Sequence, residues 1–256
     1  MQSLFNNNYD KLISALKQFD VILSEKQLSQ FESYYELLTE WNSFMNLTAI
    51  TDFEEVLIKH FTDSISLIKA VDLKENDYRL MDVGTGAGFP GIPLKIVFPE
   101  LDIVLLDSLS KRVKFLNEVI LQLDLKNIIA VHGRAEDFAK NPEYRESFDL
   151  CVSRAVANLS TLSEYCIPFV KVNGRFVSYK SENLTKTFLT VKGKEYSEME
   201  AAKKAISILG GTLREQIEFE LPDTDIYRNL VVIDKIKETP KKYPRKAGLP
   251  SREPLS

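Results

Sequence analysis

The end of the chain restricts its topology most. Two strand-like runs, 212–221 and 230–236, are joined by the short connection LPDTDIYRN. That connection has no room for a crossover helix, so the two strands are expected to pair antiparallel. Upstream, after Asp77, short apolar runs at 78–83, 103–107, 128–131, 148–152 and 174–178 alternate with helical stretches such as 109–123 and 159–170. Alternation of this length implies a parallel sheet covered on both faces.

The first seventy or so residues follow a different pattern. Apolar residues recur there at three- and four-residue steps: Leu12, Leu16 and Phe19, then Leu28, Phe31, Tyr34, Tyr35 and Leu38, then Val56, Leu57, Phe61, Ile65 and Ile68. This is the period of amphipathic helices, and Ser24 followed by Gln27 has the spacing of a capping box. The spacing predicts a helical cap over 1–72, an α/β domain over 73–237 and a basic tail over 238–256. Five parallel strands closed by an antiparallel hairpin are expected of the class I S-adenosylmethionine methyltransferase sheet, which is Rossmann-like. They are less expected of a dinucleotide dehydrogenase, whose strands all run parallel.

The segment LMDVGTGAGFPG, residues 80–91, leads directly from the first strand into a helix at 92–98. Glycines at such a turn let the backbone approach a ligand closely, and the helix start offers unpaired N–H groups. Gly86, Gly88 and Gly91 also satisfy the dinucleotide pattern G-x-G-x-x-G, so the loop alone indicates a nucleotide-like cofactor without saying which. Asp107, ending the second strand, could accept both ribose hydroxyls of an adenosine in either kind. Asp82, two residues before Gly84, discriminates better. A carboxylate there can orient loop amides and favour a sulfonium cation, whereas it would repel a pyrophosphate; the plainer reading is that it only satisfies loop N–H groups. After the third strand, Glu136 either faces an adenine amino group or is an exposed acid at a helix start. Arg154 follows the fourth strand, on the edge where parallel sheets bind ligands.

Only two cysteines occur, Cys151 and Cys166. They can build neither a disulfide framework nor a cysteine-rich zinc site, and a reducing compartment suits them. No metal is expected. The start of the chain lacks a signal peptide's basic and apolar regions, and no apolar run reaches membrane-spanning length, so a cytoplasmic protein is expected. A formal net charge of −4 argues weakly against a nucleic-acid partner, yet from residue 235 to residue 252 Lys235, Lys237, Lys241, Lys242, Arg245, Lys246 and Arg252 oppose Glu238 alone. Such a tail reads either as a solvated, frayed terminus or as a basic contact surface.

Taken together the residues resemble the RsmG (GidB) family of methyltransferases acting on small-subunit ribosomal RNA. The similarity runs through Trp41 and Asn42, Asn46 to Thr48, KHFTDS at 59–64, DVGTGAGFPGIP at 82–93, LLDSL at 105–109 with Lys111 and Arg112, SRA at 153–155, Lys180, and RNLVVI at 228–233. The resemblance implies methylation of guanine N7 in 16S ribosomal RNA, with S-adenosylmethionine as cofactor and the RNA or the small ribosomal subunit as partner. It implies that Gly84 and Phe89 contact the cofactor within a loop that includes Gly86 and Gly88, that Ala135 and Glu136 hold the adenine end, and that Asp107 is the ribose acid. Arg154 would border the methyl-transfer site, and Arg112, Lys180 and Arg228 would face RNA. If the longer tail PKKYPRKAGLP orders on RNA, it would extend that surface. A monomer is expected.

Guanine N7 carries an exposed lone pair, so direct in-line attack on a sulfonium methyl needs no general base, and none is nominated. A donor on N7 would block attack, which leaves O6 as the partner for Arg154. His60 and Asp63, three apart on a helix, are expected to form a structural hydrogen bond. The alternatives are a small-molecule methyltransferase, a nicotinamide-dependent oxidoreductase, and a binding protein that keeps the fold without the chemistry.

Overall fold

A computed structural model describes residues 8–74, 77–191 and 194–255. Helix α1 (Asp10–Lys17) buries Leu12, Ala15 and Leu16. Helix α2 (Glu25–Met45) starts with the expected capping box: Ser24 Oγ accepts the Gln27 N–H at 3.3 Å while the Gln27 side chain accepts the Ser24 N–H at 2.8 Å. It stops at Asn46, whose φ of 50° lies in the left-handed region. A third helical run follows in four pieces: α3 (Phe53–Val56), a π-helical turn (Leu57–Thr62), α4 (Asp63–Ile65) and a 3-10 turn (Ser66–Lys69).

Strands and helices then alternate: β1 (Arg79–Val83), α5 (Gly91–Val97), β2 (Asp102–Asp107), α6 (Ser110–Gln122), β3 (Ile128–His132), α7 (Ala135–Phe138), β4 (Phe148–Arg154), α8 (Leu159–Cys166) and β5 (Val170–Lys180). After a small hairpin, β6 (Phe188–Val191) and β7 (Lys194–Ser197), come α9 (Glu198–Ile208), β8 (Gly211–Glu220), β9 (Tyr227–Lys235) and α10 (Leu249–Arg252). The main sheet has the order β3-β2-β1-β4-β5-β9-β8. Its first five strands pair in parallel, and β9 enters antiparallel to both β5 and β8. The α/β reading with a terminal antiparallel hairpin is therefore what the chain forms.

Successive strand residues serve opposite faces, because side chains alternate along a strand. On one face Leu80, Ile103, Leu105 and Val152 pack with Phe31, Tyr34, Leu38 and Phe61 of the N-terminal helices. On the other, Met81, Val104, Leu106, Cys151 and Phe176 pack with Leu159, Leu162, Ala202 and Ile206 of α8 and α9. The N-terminal helices thus share one core with the sheet, and their position against the loop after β1 is fixed by that packing.

The tail departs from a frayed terminus. Arg245 forks onto the buried Glu164 of α8, with contacts from 2.7 to 3.1 Å, and Lys235 is itself buried against Glu146. Carboxylates in the fold took these cations out of solvent. Among the described residues no helix is long and apolar enough to cross a membrane.

Candidate functional site

The carboxyl ends of β1 to β4 form one rim. Gly84, Gly86 and Gly88, in the loop after β1, all have positive φ. Gly86, at 64°, faces open space where its side chain would be, so the backbone there is bare to a ligand. Gly88, at 99°, has no such room: a Cβ would lie 2.7 Å from Ile92 Cδ1 and 2.8 Å from the Tyr34 hydroxyl. That hydroxyl donates to Ala87 O at 2.5 Å and ties the loop to α2.

Asp82 lies fully buried beneath the loop. Its Oδ2 accepts the Thr85 hydroxyl at 2.7 Å and the Gly91 N–H at 2.9 Å, whereas its buried Oδ1 has no partner among the described residues. Burial pushes this carboxyl up to about 7, against the two hydrogen bonds that favour its charge. Asp107, also buried, braces the loop from β2 by accepting the Gly86 N–H at 3.0 Å and the Leu109 N–H at 2.9 Å. Arg112 is turned onto Asp107 at 3.3 Å, so it serves that acid first.

Ala135 and Glu136 open α7 just beyond β3, whose His132 pairs in register with Asp107. Glu136 is 3% exposed, which removes the reading of a solvent-facing acid. Its Oε1 accepts the Gly248 N–H at 2.7 Å.

Arg154, ending β4, is the hub of the neighbouring cleft. It donates to Asp63 Oδ2 at 2.9 Å, to Lys59 O at 3.2 Å and to His60 Nδ1 at 3.2 Å, and its guanidinium lies over the Phe89 ring. The other Asp63 oxygen accepts Arg228 Nε at 2.9 Å. The expected His60–Asp63 bond gives way to this arrangement, because the arginine offers both residues a charged donor and the π-helical turn separates them. With Nδ1 accepting from Arg154, the network assigns the proton to Nε2, which donates to Thr48 Oγ1 at 2.9 Å. Burial, then Arg154, pushes His60 down to about 3, so it is neutral at pH 7 and both ring nitrogens are engaged.

The cleft itself has a volume of about 390 Å³. Lys59, Arg154, Lys180 and Arg228 line it together with Asp63, Glu182 and Glu198. Lys180 donates to Glu198 Oε1 at 2.7 Å and to Ala157 O at 3.0 Å. Four cations against three acids give oriented donors more than bulk positive charge. The structure thus brings Arg154, Lys180 and Arg228 together and sets Arg112 apart, beside the loop. Lys59 and Glu198 escaped the sequence reading, although Lys59 belongs to the string KHFTDS; Asp63 was singled out there only as a partner for His60.

Residues 27–217 match the family described as rRNA small subunit methyltransferase G, GidB. The chain is 55% identical over 243 residues to the ribosomal RNA small subunit methyltransferase G of Lachnoclostridium phytofermentans, covering 95% of this chain and 96% of that one. It is 53% identical over 245 residues to the protein of the same name from Acetivibrio thermocellus, covering 96% of each. Among solved structures it is similar in fold to a SAM dependent methyltransferase from Aquifex aeolicus, with a TM-score of 0.52 and 20% identity over 75% of this chain and 97% of that one.

Proposed function

The chain belongs to the rRNA small subunit methyltransferase G family, and on that premise we propose that it transfers a methyl group from S-adenosylmethionine to N7 of a guanine in 16S ribosomal RNA. One juxtaposition carries the reading: Arg154 lies 5.1 Å from the ring centroid of Phe89 in the glycine loop and also lines the adjoining cleft. A cofactor on the loop and a base in the cleft would meet at that residue.

The residues fit the cofactor. Gly86 presents bare backbone, and Asp82 keeps an unpartnered buried oxygen that a neighbouring cation would favour in its charged form. The loop from Gly84 to Phe89, Asp107, and Ala135 with Glu136 would hold it. When bound, S-adenosylmethionine supplies an electrophilic methyl group on a positive sulfur. A guanine N7 lone pair would take that methyl as the carbon–sulfur bond breaks and a neutral thioether leaves, with no proton lost, so the chain's own task is to orient the base and exclude water. Arg154 donates to guanine O6 and leaves N7 free. Lys59, Lys180 and Arg228 hold the flanking RNA through phosphate oxygens. His60 keeps the Arg154 fork in place and takes no proton. The reading carries with it a cytoplasmic monomer working on the small subunit.

The test is transfer of labelled methyl groups to small subunits lacking the modification, with the modified base identified by mass spectrometry. N7-methylguanine at one position is the expected product. Cofactor binding with no incorporation into subunits or free RNA would favour a small-molecule acceptor instead.

A further inference from the structure

The basic end of the chain, residues 243–255, is fastened at several points. Arg245 forks onto Glu164, a side chain of α8 with 1% exposure, and also donates to Glu253 O at 2.7 Å. Thr161 Oγ1 donates to Pro250 O at 3.2 Å, and Ser160 Oγ to Leu255 O at 2.5 Å. Between these anchors the Gly248 N–H reaches Glu136 Oε1 at 2.7 Å. Gly248 has a φ of 80°, a conformation that turns the chain sharply at this contact. The exposed cations Lys241, Lys242, Lys246 and Arg252 take no part in these bonds.

Glu136 stands at the start of α7, next to the rim where Asp107 braces the glycine loop. Whatever fixes its side chain also fixes the backbone of Ala135 and Glu136 at the edge where parallel sheets bind their ligands. A buried carboxylate with one bond removed must find another donor, and a helix of only four residues has little stiffness to resist the shift.

We propose that residues 243–255 form a strap that shapes the adenine end of the cofactor site by holding Glu136 through Gly248, and that Arg245 is a positioning residue for cofactor binding. The proposal rests on the cofactor reading above. Its buried members face the protein, and their role is exerted through α7.

The experiment measures two affinities separately on the full-length chain, S-adenosylhomocysteine by calorimetry and small-subunit RNA by filter binding, with kcat and KM for S-adenosylmethionine alongside. Arg245→Ala is expected to weaken cofactor binding and raise its KM by roughly five- to tenfold, the size of effect typical of residues acting through others. The kcat at saturating cofactor and the RNA affinity should stay at their native values, and Arg245→Lys should recover part of the loss. If Arg245→Ala fails to fold, Ser160→Ala, which removes only the bond to Leu255, should move cofactor affinity in the same direction by a smaller factor. Replacing Lys241, Lys242, Lys246 and Arg252 together by Gln should leave cofactor affinity unchanged. Native cofactor affinity in both Arg245→Ala and Ser160→Ala would overturn the strap, as would a loss confined to RNA binding. A native chain that binds no S-adenosylhomocysteine would overturn the cofactor reading itself, and the strap with it.

Discussion

The guanidinium of Arg154 lies 5.1 Å from the centroid of the Phe89 ring. One residue closes β4 and the other stands in the loop after β1, so this contact joins the two halves of the site across a pair of adjacent parallel strands. His60 stacks on the same ring at 4.3 Å and is bonded to Arg154, so Phe89 packs against the imidazole and the guanidinium together.

Arg154→Ala should therefore reduce methyl transfer strongly, by about a hundredfold in kcat, the cost expected when a reacting group is misplaced by an ångström. Arg154→Lys should recover little, because an ammonium cannot reproduce a planar fork that reaches Asp63, His60 and Lys59 O at once. Single-turnover rates on small subunits measure both. Native turnover in Arg154→Ala would remove the arginine from the mechanism.

Asp63 is almost fully buried and bonds Arg154 and Arg228 with separate oxygens. Removing it leaves two part-buried guanidinium groups facing each other. Asp63→Ala is expected to cost about 3 kcal/mol of stability in denaturant unfolding, the range for breaking a buried ion pair. Asp63→Asn should cost less, since its amide oxygen still accepts from one arginine.

Asp82 gives a pH signature. Its carboxyl is raised from 3.8 to about 7 in the folded protein, so between those values the folded state binds the proton that the unfolded state has lost. Stability attributable to Asp82 is fully present below about pH 4 and is lost as pH rises through about 7. Asp82→Asn should abolish that part of the slope, seen as the difference between native and variant melting temperatures at pH 5 and pH 8. By the same linkage, affinity for the positively charged S-adenosylmethionine should increase from pH 6 to pH 8 in the native chain and lose that increase in Asp82→Asn.

Two glycines separate space from conformation. Gly86→Ala meets no atom and should cost only about 1 kcal/mol for its left-handed backbone, yet it should weaken S-adenosylhomocysteine binding by covering the bare backbone. Gly88→Ala drives a methyl into Ile92 and Tyr34 and should cost about 3 kcal/mol. Thermal melts with and without ligand distinguish the two; equal ligand stabilisation of native and Gly86→Ala protein would place the cofactor elsewhere.

The sheet and its terminal hairpin were legible because their signals are local: alternation of apolar runs and a connection too short for a helix. Helix α9 carried a local signal too, the capping box from Ser197 to Glu200, and its buried face of Met199, Ala202, Ala205 and Ile206 keeps helical spacing. It escaped because small alanines mark a buried face weakly. Asp82, Asp107 and Arg154 could be picked out by their distance from strand ends, a property of the sequence order. Their partners could not. The bond from Gly248 to Glu136 spans 112 residues, and that from Arg228 to Asp63 spans 165. The spacing of His60 and Asp63 suggested a mutual bond, but spacing on an ideal helix says nothing of an arginine arriving from β4.

The π-helical turn at Leu57–Thr62 makes the site sensitive to chain length in a way that substitution does not probe. A π turn takes one residue more than an α turn, and each residue rotates an α-helix by about 100°. Deleting a single residue there would exchange the wide turn for an α turn, so the chain on either side would keep its orientation while the residues inside the turn shift place. Lys59 and His60, inside the turn, would lose their bonds to Arg154, whereas Asp63, just past it, would keep its two arginines. In this segment the register of the helix, as much as the identity of its residues, encodes the cleft.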